Sequence, residues 1–241
     1  MIKSNSLVKL IFALLFFSSI LVLSNNVFSS PFYPSGGNIT YVDNYSIPLE
    51  PGVELISSGG HIHVVNIEAS QPNPFWRGYV GNISGRLKLG DGSTSLFDWI
   101  MDNTRGKIYA SRSNTLDWNN IRCANNSEII LEDSYLGFEP SIEYSVNRTF
   151  SDSEHESFYT FFNYIETDSC KSAALNVYNN TSSRDFEEVI LSDNNSNLIF
   201  SSVLQNGAIG FNNNTYDFQL ILPENQNLSV SEEYYFYIEL I

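Results

Sequence analysis

Four short apolar runs in the last third of the chain constrain the fold more than any other feature. Each is rich in Tyr, Phe, Ile and Leu, and each is separated from the next by Asn, Asp, Gly, Ser or Pro. In order, the runs are "FEEVIL", "NLIFSSVL", "YDFQLIL" and "EYYFYIEL". Aromatic and β-branched residues favour strands, and no helical periodicity lies between the runs. The pattern predicts an antiparallel meander within an all-β, antiparallel β-sandwich-like domain.

The middle of the chain is less regular. "GRLKL" followed by "GDG" predicts a strand and a turn, and "GKIYAS" predicts a further strand. "FDWIMDN" and "LDWNNIRC" predict one or two short helical turns, because Asp and Asn stand where helix caps would be. Residues 125–152 predict loops with one or two strands, and "SFYTFFNYI" (157–165) predicts one strand buried on both faces.

The first residues have the features of a targeting segment. Lys3 and Lys9 precede an apolar run of fourteen residues, Leu10 to Leu23. That run is shorter than the roughly 20 residues that span a bilayer as a helix. We therefore expect a cleaved signal peptide at 1–29, with an uncleaved N-terminal anchor as the alternative. An N-terminal arm at 30–57 and a β-sandwich domain at 58–241 would follow, outside the cell or on its surface.

Net charge and asparagine content describe the exported surface. The chain carries −15, and loss of the leader, which holds two lysines and no acids, makes this −17. Such a charge excludes a nucleic-acid partner, whose phosphates require Lys and Arg. Asn-x-Ser/Thr sequons indicate a glycoprotein, with ordinary turn chemistry as the alternative. The ten sequon asparagines are Asn38, Asn44, Asn82, Asn125, Asn147, Asn179, Asn180, Asn194, Asn213 and Asn227.

The chain has two cysteines, Cys123 and Cys170. In an exported protein this pair predicts a disulfide rather than a reactive thiol. The closed loop would stabilise the fold by roughly 4 kcal/mol in the chain-entropy description.

Three histidines are the candidates for a metal site. His61 and His63 lie two apart on a predicted strand, so both would face the same side, as Zn or Cu ligands can. His155 lies in the acidic stretch "SDSEHES". No fixed-spacing motif joins them, so an exposed polar strand face is the favoured interpretation and no metal or cofactor is expected. Weakly bound calcium at "DNNSN", "GDGS" or the acidic loop near Asp152 is the alternative to ordinary Asx turns.

Aromatic and acidic residues supply two further alternatives. Trp76, Trp99 and Trp118 would form a sugar-stacking platform if exposed, although tryptophans with apolar neighbours more often belong to the core. A hydrolase would need a pair of positioned carboxylates. The sequence contains no nucleophile motif, so we assign no catalytic residue.

A short stretch recurs near the N-terminus. "SGGNITYVDN" (35–44) and "SGGHIHVVNI" (58–67) share five of ten positions. Both copies place a strand after a Ser-Gly-Gly turn, and His61 and His63 replace Asn38 and Thr40 on the variable face. Whether residues 35–67 hold a true duplication stays open.

Several motifs follow one another in a single order between residues 59 and 241. They are "GGHIHVVN", "WRGYVGNISG", "FDW", "GKIYAS", "WNNIRC", "HESFY" and "YDFQLILPEN…YYFYIEL". This order resembles that of a family of secreted archaeal surface proteins with the pattern GGNxT, WxGxxGxxxG, FxW, GxIYAS, WxxIxC, HxxFY, C and YDFQ…YYFYxE. The resemblance implies export and a Cys123–Cys170 disulfide, and it implies no activity. The pattern has Asn and Thr at the positions of His61 and His63, so these histidines would carry no family function.

These observations favour a glycosylated, cell-surface or envelope-associated structural or adhesion protein without catalytic activity. Its partners would be other surface proteins, further copies of itself or glycans, with membrane contact only through an uncleaved N-terminal segment. It would assemble through edge strands, with the 30–57 arm as an exchangeable element. A carbohydrate-binding module is the alternative, and an exported hydrolase using carboxylates is a weaker one.

Overall fold

Strands make up most of the regular structure, as the apolar runs predict. The computed structural model describes residues 33–41, 45–46, 70–91, 93–101 and 105–241. In chain order the strands of those residues are β1 (Ser35–Gly36), β2 (Trp76–Gly81), β3 (Gly85–Gly90), β4 (Ser95–Met101), β5 (Gly106–Ser111), β6 (Arg122–Cys123), β7 (Phe158–Thr160), β8 (Asn163–Ile165), β9 (Ser172–Ala174), β10 (Glu187–Ser192), β11 (Leu198–Val203), β12 (Ala208–Ile209), β13 (Thr215–Tyr216), β14 (Phe218–Pro223) and β15 (Tyr235–Leu240). Helices α1 (Asn126–Leu136) and α2 (Val146–Thr149) and a 3₁₀ turn (Trp118–Asn120) accompany them. The predicted all-β, antiparallel, sandwich-like class is confirmed.

A central antiparallel sheet organises the domain. Across the described ranges it has seven strands, in the order β1-β15-β5-β11-β10-β6, and β9 shares the outer edge of β10 with β6. At the other edge, β1 pairs with Tyr237 and Ile238 of β15. The described part of the predicted N-terminal arm is thus joined to the sheet by a two-residue strand.

The middle strands are buried on both faces of this sheet. In β11, Leu198 and Phe200 belong to one core cluster and Ile199 to the other, because successive side chains of a strand point to opposite faces. Strands covered on both sides give continuous apolar runs, which explains "NLIFSSVL". Each such side chain contributes roughly 1.5–3 kcal/mol when it is fully buried.

Different elements cover the two faces. The β2–β14 pair and both helices close the first core, to which they contribute Ile129, Leu136, Val146, Phe218, Leu220 and Leu222. The 3₁₀ turn, the β7–β8 hairpin and the disulfide close the second core, to which they contribute Trp118, Ile121, Phe158, Ile165 and Cys170. The sheet is therefore the middle layer of the domain.

The predicted meander is wrong, although all four of its strands are present. β10 and β11 form a hairpin, but β14 pairs with β2 outside the central sheet, and β15 pairs with β5. A strand with an apolar run can bury its side chains by packing on the face of a sheet as well as by pairing at the edge of that sheet. Hydrophobic periodicity does not distinguish the two arrangements.

Helix α1 replaces the predicted loops and strands of residues 125–152. It begins with a capping box: Asn125 Oδ1 accepts from the Glu128 N–H at 3.0 Å, and Glu128 Oε2 accepts from the Asn125 N–H at 2.9 Å. It ends at Gly137, whose φ of +84° suits glycine. The pattern of apolar residues does not predict this helix, because Leu131 is exposed while the acidic Glu128 is buried. Neither helix in the described ranges is long and apolar enough to cross a bilayer.

Two other local predictions are corrected. "FDWIM" is not a helical turn but part of β4, while the predicted turn at Trp118–Asn120 is confirmed. "SFYTFFNYI" is not one doubly buried strand but the β7–β8 hairpin, in which Phe158 and Ile165 are buried and Phe162 is exposed. The strand and turn predicted at "GRLKL" and "GDG" are present as β3 and its connection to β4.

The Cys123–Cys170 disulfide is confirmed. It joins β6 to the segment that leads into β9, two elements that share one edge of β10. His155 supports the same region, because its Nε2 accepts from the Cys170 N–H at 2.9 Å.

Replacing both Cys123 and Cys170 with alanine should lower the free energy of unfolding by about 2–5 kcal/mol, since the unfolded chain gains conformational freedom when its loop is no longer closed. Urea unfolding of the purified variant measures this. Dithiothreitol should destabilise the wild type by a similar amount and leave the variant unchanged. Equal stability of wild type and variant would contradict a structural role for the bridge.

Glu188 is a buried acid between the two layers of the sandwich. Its Oε2 accepts from the Ile221 N–H of β14 at 2.7 Å. Within the described residues its Oε1 has no hydrogen-bond partner, and neither has the hydroxyl of Ser202, its cross-strand neighbour. Burial raises the pKa of Glu188 well above its usual value, against the opposing effect of the Ile221 N–H. The native protein therefore favours the neutral carboxyl.

Glu188→Gln should stabilise the protein by about 1–3 kcal/mol at pH 7, because the amide replaces a buried carboxyl that ionises on unfolding. The folded pKa lies above the unfolded one, so the contribution of Glu188 to wild-type stability falls as pH rises beyond about 4.3. The advantage of the variant should therefore be small near pH 4 and grow toward pH 7 in thermal unfolding. An advantage that does not change with pH would show that Glu188 is not held neutral.

Candidate functional site

The hairpin of β3 and β4 exposes most of its apolar side chains. Among the described strands it pairs with no other, and it begins at Gly85, where an added Cβ would lie 2.5 Å from Leu240 Cδ1 of β15. We call it the β3–β4 ribbon. Its exposed apolar residues are Leu87, Leu89, Leu96, Phe97, Trp99 and Ile100. A cluster of this kind marks an interaction surface more often than a scatter of single residues does.

The two faces of the β3–β4 ribbon differ in chemistry. On one face, Leu87 lies opposite Trp99 and Leu89 lies opposite Phe97, and the rings of Phe97 and Trp99 meet edge to face at 4.8 Å. Cross-strand pairs of this type stabilise a hairpin by roughly 0.2–1 kcal/mol each. The charged residues Arg86, Lys88 and Asp98 occupy the opposite face, together with the exposed Ile100, which lies opposite Arg86.

Asp91 fixes the turn of the β3–β4 ribbon. Its Oδ1 accepts from the backbone N–H groups and the hydroxyls of Ser93 and Thr94, at 2.7–3.1 Å. These hydrogen bonds hold the pKa of Asp91 well below its usual value, and the bond from the Thr94 N–H has the largest effect on it. The acid of "GDGS" is thus the Asx-type turn residue that the sequence favours over the alternative of a calcium ligand.

The β7–β8 hairpin forms a second exposed surface of a different composition. Phe158, Thr160 and Ile165 point into the second core, Phe161 is partly buried against it, and Tyr159, Phe162 and Tyr164 are exposed. With the neighbouring Tyr33 of the arm they form a group that we call the aromatic platform: Tyr33, Tyr159, Phe161, Phe162 and Tyr164.

The rings of the aromatic platform form two groups, and within each group neighbouring rings are in contact. Tyr159 and Tyr164 face each other across the strands with centroids 4.9 Å apart, and Phe161 and Phe162 at the turn are 4.0 Å apart. Tyr33 lies 4.8 Å from Phe161. Tyr159 and Phe162 are 60% and 64% exposed, so the rings present broad accessible faces.

A buried charged network fixes the turn of this hairpin. The Phe161 N–H donates to Glu239 Oε1 at 3.1 Å. Lys107 Nζ lies 3.5 Å from the same oxygen, and the Tyr109 hydroxyl donates to Glu239 Oε2. Burial, together with the negative charge of Glu239, raises the pKa of Tyr109 well above its usual value, so the phenol remains a donor.

Phe161 has an unfavourable backbone conformation. Its φ is +54°, in the left-handed region that bulky residues rarely adopt. The other non-glycine residues of the described ranges with positive φ are Asp168, Asn179, Ser196 and Asn213, and most are of the Asp and Asn types that tolerate it. Such strain costs about 1–3 kcal/mol and persists where surrounding contacts impose it. The two-residue turn between β7 and β8 requires a positive φ at its first residue, and the hydrogen bond to Glu239 holds Phe161 in that conformation.

Glu239→Ala should lower the free energy of unfolding by about 3–5 kcal/mol, because it leaves Lys107 buried without a counter-charge. It should also speed chymotryptic cleavage between Tyr159 and Tyr164, since the turn loses its acceptor. Glu233→Ala, at an exposed position before β15, is the control and should change stability by less than about 0.5 kcal/mol.

The double variant Lys107→Met/Glu239→Leu should regain part of the lost stability while keeping the faster cleavage of the hairpin. If Glu239→Ala proved as stable and as resistant to chymotrypsin as Glu233→Ala, the anchoring role of Glu239 would be wrong.

The three tryptophans considered as an alternative sugar-stacking platform do not share a surface. Trp118 is buried in the second core between Tyr109 and Tyr237. Trp76 is half-buried against the first core, with its indole N–H donating to the Tyr144 carbonyl at 2.7 Å. Trp99 alone of the three is exposed, on the β3–β4 ribbon. Sequence reasoning had favoured core positions for these residues, which Trp118 occupies.

The histidine candidates are not assembled within the described residues. His61 and His63 lie outside those residues. His155 is buried, with Nδ1 2.8 Å from the Glu156 carbonyl and Nε2 accepting from the Cys170 N–H. Both ring nitrogens are therefore used in holding the disulfide region. In the part of the chain that the structure describes, no group of three or more His, Cys, Asp or Glu residues is placed to hold a metal ion.

The two remaining calcium candidates have internal donors. Asp193 of "DNNSN" accepts from the N–H groups of Asp117, Asn195 and Asn197. Burial opposes ionisation of Asp193, but these bonds together lower its pKa. Asp152 is paired with Arg184 at 3.0 Å and caps its own loop. These contacts explain the acids as turn and ion-pair residues.

Two carboxylates line the shallow cleft beside α1, whose volume is about 460 Å³. Glu128 is bound by both terminal nitrogens of Arg122, and Glu132 by Arg112 through two bonds of 2.9 and 2.6 Å. The Arg122 bonds lower the pKa of Glu128 to about 2, so at neutral pH it has no proton to donate. Arg112 also stacks on Tyr135 at 3.6 Å. Glu128 and Glu132 thus form two charge-assisted salt bridges with arginines, and this arrangement does not resemble a general acid paired with a base.

Most sequon asparagines in the described ranges are accessible. Asn147 is half-buried and its side-chain nitrogen donates to the Pro140 carbonyl at 3.3 Å, while Asn44 lies outside those ranges. The exposed ones are Asn38, Asn82, Asn125, Asn179, Asn180, Asn194, Asn213 and Asn227. Sequence motifs alone could not separate Asn147 from the others.

Comparison with known proteins gives no match for this chain: no family model fits it, and no curated protein or solved structure matches it significantly. The archaeal surface-protein family therefore stays a prediction. The candidate functional residues that sequence reasoning missed are those of the aromatic platform and its anchor Glu239. The signal available was the uncharged, aromatic-rich run "SFYTFFNYI".

Proposed function

We propose that the protein is an exported, glycosylated structural or adhesion protein of the cell surface, without catalytic activity, and that it assembles with further copies of itself. The observation that carries this proposal is the β3–β4 ribbon, which presents large apolar side chains to solvent and pairs with no other described strand. The disulfide and the accessible sequons support an exported setting.

Charge supports a second copy as the occupant of the β3–β4 ribbon. The chain carries −15, so copies repel one another over most of their surface. The described residues of the ribbon carry Arg86 and Lys88 against Asp91 and Asp98, which makes the ribbon locally neutral. Like-charged copies can therefore approach most closely there.

The geometry of the ribbon supports a symmetric contact. The apolar pairs Leu87–Trp99 and Leu89–Phe97 lie on one face, with Arg86 and Asp98 3.9 Å apart on the other. Face-to-face packing of two ribbons would cover the apolar pairs and leave the charges in water. This is the self-complementary arrangement that a two-fold contact requires.

Purified protein should associate with rising concentration in light-scattering chromatography, and more strongly at high salt, because salt screens the net repulsion and leaves the apolar contact intact. Trp99→Glu should weaken association at least tenfold by placing an unpaired charge in the contact. Tyr159→Glu is the matched control: it adds the same charge at a similarly exposed aromatic residue of the other hairpin and should associate as the wild type does.

Two outcomes would overturn the proposal of self-assembly. One is a strict monomer at the highest soluble concentration in both low and high salt. The other is association of Trp99→Glu that equals that of the wild type. Thermal unfolding and circular dichroism of both variants establish that each is folded.

A further inference from the structure

We propose that the aromatic platform of the β7–β8 hairpin is a binding site for uncharged glycans. The proposal concerns a surface distinct from the β3–β4 ribbon and does not depend on self-assembly. It also differs from the tryptophan platform considered as an alternative from the sequence, because Trp76, Trp99 and Trp118 take no part in it.

The chemistry of the platform matches a neutral sugar. Residues 157–165 contain no charged side chain, and three of the five platform rings carry a phenolic hydroxyl: Tyr33, Tyr159 and Tyr164. Aromatic faces pack against the C–H faces of pyranose rings, and hydroxyl groups exchange hydrogen bonds with those of the sugar.

Charge selects a neutral ligand over an acidic one. The platform is uncharged within a chain of net charge −15, so a sulfated or carboxylated glycan would approach against a repulsive field. An uncharged glycan meets no such barrier. Nor does the platform present a carboxylate of its own that would favour a cationic ligand over a sugar.

The platform is held rigid, as a recognition surface needs to be. Phe161 keeps its left-handed conformation because its N–H donates to the buried Glu239, which Lys107 and Tyr109 hold in turn. Rigid aromatic side chains lose little conformational entropy on binding. The strain at Phe161 is thus explained by the display of two adjacent rings at the hairpin tip, 4.0 Å apart.

The arm contributes to the same surface. The Tyr33 ring lies 4.8 Å from that of Phe161, next to the β1–β15 pairing, and the Tyr33 hydroxyl accepts from the Asn119 amide at 3.4 Å. Tyr33 extends the row of rings beyond the hairpin. Only the ring of Tyr33 therefore depends on the seating of the arm for its place in the platform.

The test uses isothermal titration calorimetry of the purified protein with four neutral probes: maltohexaose, cellohexaose, mannohexaose and chitohexaose. At least one should bind, and Tyr159→Ala and Phe162→Ala should each weaken that binding about tenfold, or about 1.4 kcal/mol. Trp99→Ala, which removes a similarly exposed ring elsewhere, is the matched control and should bind as the wild type does. All three substitutions remove exposed side chains, and thermal unfolding confirms that each variant is folded.

Three outcomes would overturn the inference: absence of binding to all four probes, equal loss of binding in Trp99→Ala and Tyr159→Ala, or a preference for dextran sulfate over the neutral probes. The Trp99→Glu variant separates the two proposals. It should lose self-association and keep glycan binding, so failure of either property identifies which proposal is wrong.

Discussion

Burial of β5, β11 and β10 on both faces is the constraint on which the rest of the structure depends. Because Ile199 and Phe200 point in opposite directions, each face of the central sheet needs its own covering layer. The β2–β14 pair and the helices cover one face. The β7–β8 hairpin, the 3₁₀ turn and the disulfide cover the other. The hairpin that displays the aromatic platform therefore also covers the second core.

This double role distinguishes the two exposed hairpins. The β7–β8 hairpin has an inner face, with Phe158 and Ile165 in the core, and its tip is tied to Glu239. The β3–β4 ribbon has no such inner layer among the described residues, and both strands leave large apolar side chains in solvent. An isolated two-stranded ribbon is marginally stable in water, and a partner that covers its apolar face would stabilise it. Recognition of a small ligand suits the first surface, and association suits the second.

Some features of the fold were readable from residue type. Strands β10, β11, β14 and β15 follow their apolar runs closely, and two cysteines in a chain expected to be exported predicted the Cys123–Cys170 bridge. Helix α1 was missed because its buried positions include Glu128, Glu132 and Asp133, so apolar residues do not mark its inner face. The sequence signals that indicate the helix are the capping box at Asn125 and the glycine at its end, Gly137. "SFYTFFNYI" was misjudged because a hairpin with one buried and one aromatic exposed face resembles a doubly buried strand.

The sequence by itself determined that this chain forms short antiparallel strands, a disulfide and an acidic surface rich in sequons, because these properties belong to local composition and spacing. Only the tertiary structure decided which apolar run pairs at an edge and which packs on a face, since periodicity is the same for both. It alone brought Glu239 to Phe161 and Lys107, residues far apart in the chain. The aromatic platform depends on these contacts of Glu239, because the exposure of an aromatic ring is determined by the residues that pack beneath it.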